Sequence, residues 1–223
     1  MLEIWQLDKE LWFPSPKLAL TEPNGLLAFG GDLCAERLLL AYQNGIFPWF
    51  NEGEPPLWWS PAPRMVLYPE EMKVSRSLAK RLKRQEFQLS FNTCFAQVIE
   101  QCAISRQATT GTWITSDMQA AYGDLHQQGY AHSVEVWQNE QLVVGIYGLA
   151  LGGIFFGESM FRKVSDASKV ALACLAQHLV QKGFSLIDCQ VHTDHLASLG
   201  AREISRELFL QTLADATTAK INF

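Results

Sequence analysis

The order of patterned segments predicts an α/β fold with a mixed sheet, preceded by a smaller and less regular section. Three observations carry that expectation. From residue 116 onward the segments run helix, strand, strand, strand, helix, strand, short helix. A helix-length pattern over 166–182 joins two strand-like runs, as the crossover between parallel neighbours must. The 223 residues are 48% apolar and 18% charged, a composition that can bury a sizeable core. The change of texture divides the chain into a small N-terminal domain over 1–62 and a larger one over 63–223.

Residues 1–62 are rich in turn formers and aromatic rings, with FPSP at 13–16, EPNG at 22–25 and GGDL at 30–33. One helix is expected there, Ala35–Gln43, with Leu38, Leu39 and Tyr42 on its apolar side and Asn44-Gly45 ending it. The rings of 47–50, with Trp58 and Trp59, read as a plug between the two domains. Trp49, between Pro48 and an acidic loop, is the one best placed to line a site. Residues 65–68 read as a short strand, and Ser75 can cap a helix running to about Arg84. In it Arg76, Lys80 and Arg84 recur every four residues on one face, with Lys83 beside them. A helix is expected over 92–104, and Ser116 with Gln119 has the spacing of a capping box opening a helix that ends at Gly129. Residues 132–137 and 141–151 form a hairpin around Gln138-Asn139-Glu140, and Gly152-Gly153 turns the chain into a strand over 154–158. Ser165 caps the long helix and Gly183 closes it. The run 186–200 then reads as a strand and a short helix capped at Thr193 and stopped near Gly200.

A net charge of −5 gives no general pull toward nucleic acid. The face made by Arg76, Lys80, Lys83 and Arg84 therefore stands out as the candidate phosphate contact, although a solvated helix face is the plainer reading. Five scattered cysteines without a C-x-x-C fit free thiols in a reducing compartment. The N-terminus carries acidic residues and no basic stretch before an apolar run, unlike a signal peptide. The longest uncharged run, 141–157, is broken by glycines and is too short for a membrane span. A cytoplasmic protein with no membrane partner is expected.

Three polar sets could carry chemistry: Glu158-Ser159-Met160 at the end of an apolar strand, Ser168-Lys169 in the first turn of the long helix, and a face of the last strand. On that face stand Asp188, Gln190 and His192, with Ile187, Cys189 and Val191 on the other. Unpaired buried polar groups cost roughly a few kcal/mol each, so the polar face is expected to look at water or into a cleft. If the two strands are neighbours, Glu158 and Asp188 meet at their C-terminal ends, where such sheets bind ligands. A structural ion pair of Glu158 with Lys169 is the plainer alternative. A metal site from Asp188, His192, Asp194 and His195 has suitable ligand types, but alternation puts only Asp188 and His192 on one face, and no metal is expected. Cys189 points to the apolar side, against a cysteine nucleophile, and His192 and His195 read as turn and cap partners. There is neither G-x-x-x-x-G-K-[ST] nor G-x-G-x-x-G, so no cofactor is expected and any bond formed needs a pre-activated substrate.

Seven blocks in order then carry a resemblance: FPWF (47–50), WWSPAPR (58–64), GTWI (111–114), HSVEVW (132–137), GESMF (157–161), DASK (166–169) and LIDCQV-x-x-x-H-x-x-SLGA (186–201). Together they resemble the leucyl/phenylalanyl-tRNA–protein transferase family over nearly the whole chain. The resemblance implies transfer of leucine or phenylalanine, and also methionine, from aminoacyl-tRNA to the N-terminal arginine or lysine of a protein, marking it for N-end rule degradation. It implies a C-terminal domain like the acetyltransferases (GNAT). The acetyltransferase loop that cradles coenzyme A is Gly-rich, whereas here the helix start reads Ser165-Asp166-Ala167-Ser168-Lys169, which fits a donor other than acetyl-CoA.

By the resemblance, Gln190, oriented by Asp188, accepts a hydrogen bond from the attacking α-amine, and Glu158 is the acceptor-side carboxylate. Trp49 and Trp113 are the candidates to stack on the terminal adenine. Ile146, Phe155, Met160, Leu172, Leu175 and Leu179 are mapped onto a donor pocket, and the last three share one face of the long helix. Plain core packing fits their periodicity equally well. Arg76, Lys80, Lys83 and Arg84 would hold phosphates. Two other readings compete: an acyl-CoA-dependent N-acetyltransferase, and a non-enzymatic RNA-binding module.

Overall fold

The computed structural model describes residues 4–84, 86–107, 112–164, 167–217 and 221–223. The first section holds β1 (Trp5–Leu7), β2 (Leu26–Gly30), α1 (Ala35–Gln43), β3 (Phe47–Pro48) and β4 (Leu57–Trp59). Its strands form one small sheet in the order β1-β2-β4-β3. Strands this short leave no room for alternation to show, so a stretch that reads as irregular is in fact a sheet. Helix α1 covers the predicted residues, with the Asn44 side chain donating to the Leu40 carbonyl and Gly45 turning the chain at φ 71.

The rest of the chain supplies β5 (Arg64–Leu67), α2 (Arg76–Lys83), β6 (Gln88–Phe91), α3 (Phe95–Gln107), α4 (Ser116–Gln127), β7 (Ala131–Gln138), β8 (Gln141–Leu151) and β9 (Ile154–Arg162). It continues with α5 (Ala167–Lys182), β10 (Leu186–Gln190), α6 (Asp194–Ser198), β11 (Arg202–Ile204) and α7 (Arg206–Thr217). Seven strands form a second sheet in the order β11-β5-β10-β9-β8-β7-β6. Strands β9 and β10 run parallel, joined by α5, and their neighbours pair antiparallel. The fold is α/β with a mixed sheet, as the order of segments predicts. No helix among the described residues is long and apolar enough to cross a membrane.

Several boundaries differ from the expectation for local reasons. Helix α3 starts at Phe95, because Asn92 takes φ 57 and its side chain accepts from the Ser133 N–H at 3.0 Å, turning the chain out of a strand, β6. Helix α4 is capped by Thr115 rather than Ser116: Thr115 Oγ1 accepts from the Met118 N–H at 3.2 Å. Strand β9 runs on to Arg162, and β11 and α7 were not anticipated. The expected cap Ser165, with Asp166, and Gly111 of the GTWI block lie outside the described residues.

Alternation along the sheet sorts its side chains between two apolar cores. Tyr147, Leu149 and Phe156 join α1, α3, α4 and α7 on one face. Ile146, Phe155 and Ile187 join α5 on the other. Gly148 is closely packed between β9 backbone and side chain. A Cβ there would lie 2.2 Å from the Phe156 carbonyl oxygen and 2.6 Å from the Phe155 ring. The backbone oxygen cannot swing aside, so Gly148→Ala should destabilise the fold by about 1–3 kcal/mol or more, read as a lowered denaturant midpoint. An unchanged midpoint would refute the packing argument.

Candidate active site

The β9–β10 pairing stops at Phe156 opposite Asp188, while β9 continues to Arg162 against β8. Just beyond that level each strand carries a bulge. Across β8 and β9, Tyr147 pairs with Ser159 and Gly148 with Gly157, so Glu158 is the extra residue. Across β5 and β10, Val66 pairs with Asp188 and Met65 with Gln190, so Cys189 is extra, and Gln190 takes φ 59. Bulges re-aim side chains. Here they aim two at each other: Gln190 Nε2 donates to Glu158 Oε1 at 3.0 Å. A left-handed non-glycine residue costs about 1–3 kcal/mol and needs to be held. The Gln190 N–H donates to Asp188 Oδ1 at 3.0 Å, which helps hold it.

Asp188 itself is not in the cleft. It is fully buried and takes two hydrogen bonds from Arg64, Nε to Oδ1 at 2.8 Å and Nη2 to Oδ2 at 2.6 Å. The Arg64 guanidinium stands over Phe47 and Phe209 at 4.9 and 4.5 Å and gives its remaining arm to the Gly45 carbonyl. His192 lies past the strand, exposed, 3.4 Å from Asp194. The expected shared face of Asp188, Gln190 and His192 is therefore corrected: the bulge at Cys189 breaks the alternation, and it is Ile187, Cys189, Gln190 and Val191 that line the cavity. Burial pushes the Cys189 thiol well up, so it stays protonated.

Glu158 is buried and reaches two neutral donors. Its second oxygen accepts from the Tyr122 hydroxyl at 3.1 Å, and that hydroxyl is bonded to the hydroxyl of Tyr42. Burial pushes the Glu158 carboxyl up to about 7, while the Tyr42 and Tyr122 hydroxyls pull it down; more weakly, Asp188 raises it and Arg64 lowers it.

The cavity beside this pair has a volume of about 560 Å³, the size of a small-ligand site. Ile146, Phe155, Met160, Leu172, Leu175 and Ile187 give it an apolar lining, and Trp49, Trp113, Arg106, Glu158 and Gln190 also line it. Leu179 does not. It is fully buried in the core one turn farther along α5, because a helix face of that length outruns the cavity. Trp49 is 46% exposed, its ring 5.5 Å from that of Trp59, whose indole N–H donates to the Trp49 carbonyl at 2.7 Å. The Arg106 guanidinium lies 5.8 Å from the Trp113 ring centre and donates to Ser159 Oγ at 2.9 Å. His195, expected only as a cap partner, lines the cavity as well; burial and the nearby Lys169 and Arg162 charges lower its pKa, which keeps the ring neutral.

Helix α2 is capped by Ser75, whose Oγ accepts from the Leu78 N–H at 3.2 Å. Arg76, Lys80, Lys83 and Arg84 are exposed on it, and Arg84 pairs with Glu86 at 3.2 Å. A second cavity, about 430 Å³, is lined by Lys80, Arg81, Arg84 and Glu86 together with Lys169 of α5. The basic surface thus reaches the helix whose next turn, at Leu172, walls the first cavity.

Sequence reasoning did not single out Arg64, Arg106, Tyr42 or Tyr122 as site residues. Tyr42 could have been found as a phenol on an otherwise apolar helix side, since a buried hydroxyl needs a partner. Arg106 could have been found as a cation closing a helix just ahead of an aromatic block.

A family model described as leucyl/phenylalanyl-tRNA protein transferase matches residues 66–214, and one described as its N-terminal domain matches 31–62. A leucyl/phenylalanyl-tRNA–protein transferase of Chromohalobacter salexigens is 57% identical over 98% of this chain and 85% of that protein. One of Pseudomonas fluorescens is 56% identical over 94% of this chain and 93% of that protein. Among solved structures, L-PGS from Bacillus licheniformis is similar at a TM-score of 0.44 and 13% identity over 77% of this chain and 57% of that one. A GCN5-related N-acetyltransferase from Kribbella flavida is similar at 0.36 and 10% over 75% and 60%. Both of these likenesses are too loose to bear on function.

Two stability outcomes follow from the site. Asp188→Ala leaves the Arg64 charge buried without its partner and should cost about 3–5 kcal/mol in urea unfolding, whereas Gln190→Ala removes no buried charge and should stay within about 1 kcal/mol of the parent. Equal losses would contradict the distinction. For Glu158 the folded-state pKa is raised from 4.5 to about 7. Its contribution to stability is therefore full below about pH 4.5 and falls away as pH rises through 7. Relative to the parent, Glu158→Gln should gain up to about 3 kcal/mol between pH 4.5 and 8, measured by unfolding at both ends. A difference that does not change with pH would show that Glu158 is not titrating there.

Proposed function

Because the chain belongs to the leucyl/phenylalanyl-tRNA protein transferase family, and so is an enzyme that moves aminoacyl groups from tRNA to proteins, we propose that its donors are the leucyl, phenylalanyl and methionyl esters of tRNA. Its acceptors are proteins with N-terminal arginine or lysine, which the added residue marks for N-end rule degradation, and it works in the cytoplasm where tRNA is charged. Residues 1–62 and 63–223 act as its two domains, a division supported by their separate sheets. The observation that carries this reading is the Gln190–Glu158 contact at 3.0 Å beside a cavity with an apolar lining.

The donor ester is already activated, so positioning supplies much of the catalysis. The acceptor nitrogen bonds to the ester carbonyl carbon, the bond from that carbon to the ribose oxygen breaks, and the nitrogen's proton ends on the departing oxygen. An α-amine has a reference pKa near 7.7–8.0, so a useful fraction is neutral at cellular pH. Gln190 has committed its Nε2 to Glu158, which leaves its amide oxygen as an acceptor for the amine N–H. Glu158, as the anion, offsets positive charge growing on that nitrogen and favours a cationic acceptor residue. Asp188 works through the backbone of Gln190.

Ile146, Phe155, Met160, Leu172 and Leu175 receive the donor side chain. Apolar walls separate one methylene-sized difference by only about 1–3 kcal/mol, and a methionine wall is adaptable, which suits a site that accepts three donors. Trp49 and Trp113 stack on the terminal adenine, each contact worth about 1–3 kcal/mol. Arg76, Lys80, Lys83 and Arg84 hold phosphates without reading sequence.

The test is transfer of radiolabelled leucine from leucyl-tRNA to an arginine-ended peptide, with an alanine-ended peptide and acetyl-CoA as controls. Transfer to the first peptide alone is expected. No transfer, or transfer from acetyl-CoA unaffected by ribonuclease, would overturn the reading. Charge reversal at Arg76 and Lys80 together should weaken the use of all three donors alike and flatten the salt dependence by roughly one unit of slope per lost phosphate contact. Selective loss of one donor would count against phosphate holding.

A further inference from the structure

We propose that Tyr122, backed by Tyr42, is a positioning residue for the transfer reaction: the two hydroxyls form a one-way donor chain that holds Glu158 as the anion facing Gln190. The proposal rests on the reading that Glu158 and Gln190 meet the acceptor amine.

Both tyrosines are fully buried, one on α1 and the other on α4, so water cannot satisfy their hydroxyls. A phenol has a single proton to donate. Tyr122 spends its proton on Glu158 Oε2 at 3.1 Å. The bond between the two hydroxyls must then be donated by Tyr42 to the Tyr122 oxygen. Both O–H dipoles therefore point toward Glu158. Its other oxygen already receives an N–H from Gln190. Protonation would weaken that bond, since its acceptor would no longer be charged. A proton added to Oε2 on the side of Tyr122 would turn its O–H away and leave one of the two phenol protons without an acceptor.

The donor chain thus works against burial, which favours the neutral acid. The phenols remain donors at any cellular pH, because burial and the Glu158 charge push both of them well above 10. The other groups around Glu158 leave this role to the pair. Tyr147 approaches from β8 with its ring 5.6 Å from that of Tyr122, and its hydroxyl has no hydrogen-bond partner among the described residues. Asp188 on β10 is matched by Arg64 on β5. Arg106 on α3 is bonded to the neighbouring Ser159. Tyr42 also makes the arrangement depend on α1, so the first section reaches the reacting group through a hydroxyl.

The experiment measures single-turnover transfer from leucyl-tRNA to an arginine-ended peptide held below saturation, from about pH 5.5 to 8.5, for the full chain and for Tyr122→Phe, Tyr42→Phe and Glu158→Gln. The free acceptor amine titrates identically in all four, so below saturation any displacement between their profiles belongs to the enzyme. Tyr122→Phe should move the acid limb to higher pH by about one unit, an approximately tenfold slower rate at pH 6 with a much smaller change at pH 8.5. Tyr42→Phe should move it in the same direction, since the Tyr42 hydroxyl also pulls the Glu158 carboxyl down. A uniform loss at every pH would mean that the tyrosines only fill space, and would overturn the proposal. If Tyr122→Phe is too slow to follow, carbon-13 titration of the Glu158 carboxyl should show the same upward displacement, and an unmoved carboxyl would overturn it. A Glu158→Gln profile with the acid limb of the parent would instead sink the underlying role of Glu158, whatever the tyrosine variants do.

Discussion

The Arg64–Asp188 pair is the contact on which the rest of the site depends. Its partners are 124 residues apart, both are out of water, and the carboxylate takes two hydrogen bonds from one guanidinium. Desolvating two charges can cancel most of what their attraction returns, so such a pair is a poor source of net stability. Its value here is geometric. A guanidinium fork accepts only a narrow range of carboxylate positions. Stacked between Phe47 and Phe209 and bonded to Gly45, it fixes the first section, α7 and the strand end that carries Gln190 in one frame.

Two carboxylates on neighbouring strands thereby come to different ends. Asp188 has a full counter-charge and one backbone N–H, and its role is to hold. Glu158 has hydroxyls and an amide, donors without charge, and its burial brings its titration close to cellular pH. Environment alone separates them, since the side chains differ by one methylene. The separation also shows why the two bulges matter. Without the extra residue in β9 or in β10, strict alternation would turn Glu158 or Gln190 to the other face.

The framework was legible at many of the places where local chemistry decides the outcome. Ser75 caps α2, Asn44-Gly45 ends α1, and the two-residue turn at Asn139 and Glu140, with φ of 50 and 62, closes the β7–β8 hairpin. The crossover through α5, and with it the meeting of Glu158 with the strand after it, followed from segment order. What could not be read was decided at long range. Nothing near Cys189 announces a bulge, because it is imposed by pairing with Met65. Leu172, Leu175 and Leu179 look alike on one helix face, and only the extent of the cavity assigns the first two to its wall and the third to the core. Tyr42 was read as an apolar residue because periodicity registers its ring and is blind to its hydroxyl.

The long span of the Arg64–Asp188 contact has a consequence in time. Chain entropy must be given up before so distant a contact returns anything, which makes it a late event in folding. During synthesis, α1, β5 and the hairpin emerge from the ribosome long before β10, and Phe209 comes later still. Until then Arg64 has no carboxylate, Gln190 has nothing to hold its backbone, and the cavity lacks one wall. The nascent chain, surrounded by charged tRNA, therefore has no assembled site with which to use it.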